Sequence, residues 1–220
     1  MPGKLPHDPL DHQVFHLSYR LAGSIPLGKI KAMKGERDLL LEQLARTVAQ
    51  APPRFRAEVD RAGRWEIQAR YEMLTDQALH QTHSGPFHLQ RPEIAKLVLD
   101  SWQYLHQRKE IFLWAVCIMG NHVHAVLSNA TGKTEVPFGN IVKRHKNFTA
   151  LHANRMLKRT GTPFWAETYF DRRIRSGKFL RVMWYVLENP VKAGIVSRWQ
   201  DWPGTWVHPD YLPMFSGVAA

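Results

Sequence analysis

The hydrophobic pattern changes period several times along the chain. Residues 15–21 (FHLSYRL) alternate apolar and polar positions, the pattern of a strand with one buried face. The turn-prone Ala22-Gly23-Ser24-Ile25-Pro26 closes it. From 27 to about 81 the period becomes helical. Leu39, Leu40, Leu44 and Val48, then Val59, Ile67, Tyr71 and Leu74, recur at helical spacing, and Pro52-Pro53 divides the segment in two. After a turn at Ser84-Gly85-Pro86, Pro92 occupies the first position of a further helix. Ile94, Leu97, Val98, Trp102 and Leu105 share one face of it.

Residues 111–119 (IFLWAVCIM) are continuously apolar, as in a strand buried on both faces. Gly120-Asn121 makes a two-residue hairpin link to an antiparallel strand at 122–128 (HVHAVLS). A loop at 129–137 leads to a helix from about 139 to 157. Ile141, His145, Phe148, Leu151 and Met156 are expected to point inward there, with Lys143, Arg144 and Lys146 pointing elsewhere. A fourth strand is expected at 168–175. A last helix, from 178 to about 188, ends at Asn189-Pro190, because the residue before proline resists helical geometry. With the 27–88 segment set aside, the order is strand, helix, strand, strand, helix, strand. This predicts an α+β, ferredoxin-like antiparallel sheet with helices on one face. The last helix, which carries Tyr185, is added to it.

Composition narrows the classes. The chain has 220 residues and is 44% hydrophobic, enough for one core, and we expect a single domain over 1–220 with a helical insertion at about 27–88. No apolar run reaches the roughly 18 residues that span a bilayer. The stretch 1–11 has no apolar signal core, so a cytoplasmic, non-membrane protein is expected. Cys117 is the sole cysteine, which excludes internal disulfides and cysteine-based zinc fingers. The net charge of +11 is concentrated: residues 143–198 hold thirteen Lys and Arg against three Asp and Glu. Such focusing suits a polyanion, nucleic acid ahead of membrane, although a solvated basic surface gives the same count.

Two small constellations carry chemistry. His122 and His124 stand at i and i+2 on a predicted strand, so both imidazoles project from one face and can chelate one ion. Nitrogen ligands suit Mn, Zn, Ni or Co, and Mg when oxygens complete the shell. With twelve histidines in the chain, two structural histidines are the other meaning of the triplet. Tyr185 and Asn189, at i and i+4, place a phenol and a carboxamide on the same helix face. Alternatively Tyr185 is a core aromatic and Asn189 a helix C-cap.

Taken together, Met119-Gly120-Asn121-His122-Val123-His124, Phe164-Trp165, Ile174-Arg175 and the block 185–194 (YVLENPVKAG) resemble the HUH single-tyrosine transposases. Among these the likeness is closest to the REP-associated tyrosine transposases. It covers 89 to about 206, and 15–26 resembles that family's first strand, so the segment 1–220 reads as one HUH transposase domain. The histidine triplet and the tyrosine block stand in the family's order, about sixty residues apart. Two positions depart from the pattern: the family usually has proline where this chain has Gly120, and related transposases often have glutamine at the third ligand position, here Asn189.

The resemblance implies a single-strand DNA endonuclease or transposase that cuts and rejoins DNA at palindromic hairpin elements. His122, His124 and Asn189 would hold a divalent metal, Mg or Mn, and Tyr185 would be the nucleophile, giving a 5′-phosphotyrosine and a free 3′-hydroxyl. Partners would be single-stranded or hairpin DNA, and the chain a monomer or homodimer. Lys143, Arg144, Lys146, Lys158, Arg159, Arg172, Arg173 and Arg175 are candidate phosphate contacts. Trp165, Tyr169, Phe170, Trp199, Trp202 and Trp206 either stack on unpaired bases or pack in the core. The alternative function is a non-catalytic binder of structured single-stranded nucleic acid. A small-molecule metallohydrolase would need an acidic base near the histidines, and 119–130 contains no Asp or Glu.

Overall fold

The structure is a computed structural model, and it describes residues 11, 13–132 and 135–216. The N-terminal stretch read for a signal core, with His7 and His12, lies outside the described residues apart from Asp11. The described chain forms two compact units, residues 23–85 and the remainder.

The first unit is a helical hairpin. Helix α1 (Leu27–Gln50) and helix α2 (Arg56–Gln81) are separated by the break at Pro52-Pro53 that the sequence predicts. Between them Arg70 reaches Glu36 at 2.5 Å and Lys29 reaches Gln81 at 3.2 Å. Leu44 packs so closely on Gly63 that a Cβ there would meet its methyl carbons.

The second unit is built on a five-stranded antiparallel sheet, ordered β4-β1-β3-β2-β5. Its strands are β1 (Phe15–Leu21), β2 (Ile111–Ile118), β3 (His122–Asn129), β4 (Trp165–Arg173) and β5 (Thr205–Val207). The first four, with helix α3 (Pro92–Gln107) after β1 and helix α4 (Phe138–Met156) after β3, give the ferredoxin-like arrangement expected. Strand β4 begins three residues before its predicted start. Strand β5, only three residues long, pairs with β2 at the sheet edge.

Alternation sends the two sets of side chains to two cores. Phe15, Leu17, Tyr19 and Leu21 of β1 join Val123, Ala125 and Leu127 of β3 under α3 and α4. Each large side chain buried there contributes about 1.5–3 kcal/mol. Ala115, Cys117 and Met119 of the β2 segment and Val126 of β3 face the other way, into a second core capped by helix α5 (Phe179–Leu187), the short helix α6 (Asn189–Lys192) and Trp199. A register shift between Leu113 and Ala115 changes the phase of β2, so the first core takes Ile111 and Leu113 before it and Val116 and Ile118 after it.

Helix α4 departs from its predicted stripe. Ile141 and His145 are buried, but Phe148, Leu151 and Met156 are about half exposed. The true inward row is Phe138, Ile141, Val142, His145, Thr149 and Ala153. Hydrogen bonds hold Thr149 in that row: its hydroxyl donates to the His145 carbonyl at 2.8 Å and accepts from Trp165 Nε1 at 2.9 Å.

Candidate active site

The site is a row of side chains on the α5 face of the sheet, and strand register fixes its membership. Ser18 of β1 lies opposite both His124 of β3 and Phe170 of β4, and His124 lies opposite Cys117 of β2. Directly opposed residues share a face, so Phe170, Ser18, His124 and Cys117 run across the sheet. Arg20 stands opposite His122, and His16 opposite Arg172, on the same face.

His122 and His124 are buried, 2% and 1% exposed. Their rings meet edge-on at 4.9 Å between centroids, and one ring nitrogen of each lies within 4.8 Å of the other. Two imidazole nitrogens this near each other, on one face, are the arrangement from which a pair of histidines holds one cation, each at about 2.0–2.1 Å when it is bound. The hairpin sets the pair: Met119 donates its N–H to the His122 carbonyl at 2.9 Å, with Gly120-Asn121 as the two linking residues. His122 Nδ1 lies 2.6 Å from Asn121 Oδ1. A carboxamide oxygen only accepts, so Nδ1 carries the proton and the neutral ring has its lone pair on Nε2, the tautomer a cation requires. The donor set therefore fits a divalent metal, with His122 and His124 as the holding pair. Cys117, beside His124 in register, is a neutral thiol: burial pushes it up to about 12, against the smaller pull of the Thr205 hydroxyl.

Gly120 has a local explanation. A Cβ at this position would meet Gln90 Cγ at 2.8 Å and the Phe87 ring at 3.0 Å, and the Gly120 carbonyl accepts from Leu89 N–H at 3.2 Å. The turn of 3-10 helix His88–Gln90 lies against the hairpin and leaves no space for a side chain.

Tyr185 projects from α5 toward the histidines. The helix buries Met183, Val186 and Leu187 in the second core, which leaves Tyr185 half-buried at its margin. The phenol ring meets the His124 ring at 5.7 Å and the His16 ring at 5.8 Å, edge-on in both cases. Lys192 Nζ sits 4.6 Å from the phenol ring centroid. Asn189, fully buried, donates from Nδ2 to the carbonyl of Tyr185 at 2.8 Å and that of Val186 at 3.3 Å. Its amide group thus closes the last turn of the tyrosine helix, and Oδ1 is the side-chain atom chemically suited to a cation.

His16 joins this cluster although the sequence did not single it out. Its Nε2 lies 3.0 Å from His124 Nδ1, with the two rings stacked at 5.2 Å. The signal was present in FHLSYRL: His16 alternates with the core residues Phe15 and Leu17, so it shares a face with whatever lies across from Ser18. Its partner is 108 residues away, and only the strand order reveals it.

The eight candidate phosphate contacts are not brought together. Lys143, Arg144 and Lys146 lie on α4, and Lys158 and Arg159 in the turn after it, belonging to the layer that covers the opposite face of the sheet. Arg144 pairs with Glu110, and Arg159 with His88. Lys146 donates to the carbonyls of Ala166 at 2.7 Å and Glu167 at 3.2 Å on edge strand β4. Burial holds its ammonium down to about 8. It is a strand-capping group, unlike the outward-pointing charge expected. Arg173 pairs with Asp11 at 2.6 Å and lies over the Phe15 ring. Arg172 shares the site face, and Arg175 lies between β4 and α5. Of the aromatics, Trp165, Tyr169, Phe170 and Trp199 are buried, and the half-buried Trp202 donates to the Ile118 carbonyl at 2.9 Å, so these five pack in the protein rather than offer a stacking face. Trp206 is half-buried beside His106 and His208.

Comparison with solved structures decides the fold. A REP-associated tyrosine transposase bound to a REP hairpin superposes with a TM-score of 0.55 at 13% identity, over 97% of this chain and 87% of that one. The two chains share a fold. A candidate transposase from Deinococcus radiodurans R1 aligns at a TM-score of 0.36 and 13% identity, over 84% of this chain and 93% of that one, too weakly to bear on the architecture. No protein-family model matches the sequence, and no curated protein matches it significantly. The shared fold is the α+β architecture expected from the strand and helix order. Among the described residues no helix is long and apolar enough to cross a membrane.

Proposed function

We propose that this protein is a tyrosine transposase that nicks and rejoins single-stranded DNA at palindromic hairpin elements, through a 5′-phosphotyrosine on Tyr185. One observation carries the reading: the Tyr185 ring lies against His124 on the face where His122 and His124 project together. A phenol beside an imidazole pair, in a chain that shares the fold of a tyrosine transposase, is the constellation that covalent strand cleavage needs.

The chemistry divides among several residues. His122 and His124 would hold a divalent ion, Mg or Mn, which would supply charge neutralisation at the scissile phosphate. Asn121 keeps His122 in the metal-binding tautomer. Asn189 fixes the carbonyl end of α5 and thereby the azimuth of Tyr185, and its Oδ1 is the third candidate ligand. Tyr185 attacks phosphorus, its proton leaving to water; the phosphorus–oxygen bond to the 3′ oxygen of the preceding nucleotide breaks, and that oxygen takes a proton from water to give the 3′-hydroxyl. Lys192 places positive charge against the ring that bears the developing phenolate. The phosphotyrosine conserves the bond energy, so a second 3′-hydroxyl reverses the step and rejoins the strand. Arg172 and Arg175 are the basic residues best placed to hold the strand entering this face, while Lys143 and Lys158, exposed on the α4 layer, suit the flanking hairpin duplex.

The test uses a labelled hairpin with a single-stranded foot, incubated with Mn or Mg. The wild-type chain is expected to give a band that survives denaturant, and Tyr185→Phe to shift the same DNA without leaving any covalent adduct. A wild-type shift that denaturant abolishes would instead make this a non-catalytic nucleic-acid binder.

A further inference from the structure

We infer that His16 is a positioning residue for His124: it accepts a hydrogen bond from His124 Nδ1 and so holds the Nε2 lone pair where a cation needs it. The inference rests on the reading of His124 as a metal ligand. His16 is on β1 and His124 on β3, and the register sets Ser18 opposite His124, so His16 is its diagonal neighbour on the same face. The two imidazoles are buried, lie within 11° of parallel, and have Nε2 of one 3.0 Å from Nδ1 of the other.

Only one hydrogen occupies that contact, and its owner decides what His124 can do. If His16 donates, neutral His124 carries its proton on Nε2 and that atom is a poor ligand. If His124 donates from Nδ1, its Nε2 carries the lone pair. The second arrangement matches His122, whose partner Asn121 Oδ1 admits no other choice. Both members of the pair then have one tautomer, each orientated by a neutral acceptor. His16 occupies the place that a carboxylate or backbone carbonyl takes behind many metal-binding histidines. The same ring also touches Tyr185 edge-on at 5.8 Å, so His16 wedges the ligand and the nucleophile's helix in one arrangement. A purely space-filling role would be met by any side chain of similar volume. A positioning role demands an acceptor atom.

That distinction sets the experiment. His16→Met keeps the volume and removes the acceptor, whereas His16→Gln restores an acceptor at a similar reach. Mn(II) affinity is measured by electron paramagnetic resonance on the DNA-free protein, with circular dichroism to follow folding. His16→Met is expected to bind Mn(II) about 10–100-fold more weakly than wild type, and His16→Gln to recover most of the loss. Long-range 1H–15N spectra of the wild-type imidazoles are expected to show His124 protonated at Nδ1, a readout that holds even if the Met variant does not fold. Unchanged Mn(II) affinity in a folded Met variant, a Gln variant no better than Met, or a proton on His124 Nε2 would each overturn the role of His16 alone. Wild-type protein that binds no Mn(II) would overturn the metal reading and this inference together.

Discussion

On the α3–α4 side of the sheet, buried His145 has both ring nitrogens engaged by its own fold. Trp102 Nε1 donates to the Tyr19 oxygen at 3.0 Å, the same oxygen lies 2.6 Å from His145 Nε2, and His145 Nδ1 lies 2.9 Å from Ser101 Oγ. The Trp102 ring stacks on the imidazole at 4.0 Å. On the α5 side, His122 and His124 are as deeply buried; Asn121 lies at Nδ1 of the first and His16 at Nδ1 of the second, and the pair converges beside a phenol. Burial alone therefore does not separate a structural histidine from a functional one. The residues that the ring meets do.

Substitution separates the two faces most visibly. His122→Ala and His124→Ala are expected to slow adduct formation more than about 100-fold, measured as the initial rate of denaturant-resistant product, while costing less stability than the next variant. His145→Ala leaves the Tyr19 hydroxyl and Ser101 without their partner and opens a cavity, which should cost about 3 kcal/mol in urea unfolding. Its adduct rate per folded molecule should match wild type. If His145→Ala silences the chemistry in fully folded protein, or His124→Ala leaves it intact, the assignment of roles to the two faces is reversed.

A smaller effect is a pH dependence carried by the structural histidine. Burial, and secondarily the Lys146 charge, holds His145 down to about 3 from its ordinary 6.5. The folded state therefore binds fewer protons than the unfolded chain between these values. The His145 contribution is complete above pH 6.5 and is lost as pH falls, at about 1.4 kcal/mol per unit toward pH 3. Urea unfolding of a folded His145→Gln variant should show a slope between about pH 6 and 4 flatter than wild type by that amount.

Much of this was legible in the chain. The apolar run at 111–119, the Gly120-Asn121 link and the alternation of FHLSYRL placed three strands nearly to the residue, because period and turn chemistry are local signals. The HVH triplet could be assigned one face for the same reason. What escaped depends on distant partners. Strand β5 is three residues long and exists only by pairing with β2. The inward row of α4 includes Thr149 and Ala153, whose burial comes from Trp165 and the core rather than from their own hydrophobicity, while the more apolar Phe148 and Leu151 stay half exposed. The charge run 143–198 reads as one track in sequence, yet the fold distributes it over both faces of the sheet. His16 was invisible for the plainest reason: its role is defined by a residue on another strand.

The cutting chemistry turns on one oxygen atom, the Tyr185 hydroxyl. After reaction with a labelled DNA hairpin and Mn, nuclease trimming and tryptic digestion release the peptide 182–192, VMWYVLENPVK, which contains Tyr185 as its only tyrosine. Mass spectrometry is predicted to find this peptide carrying a nucleotide on Tyr185 through its 5′ phosphate. Recovery of the peptide unmodified, with the nucleotide linked to another residue or to none, would contradict the account.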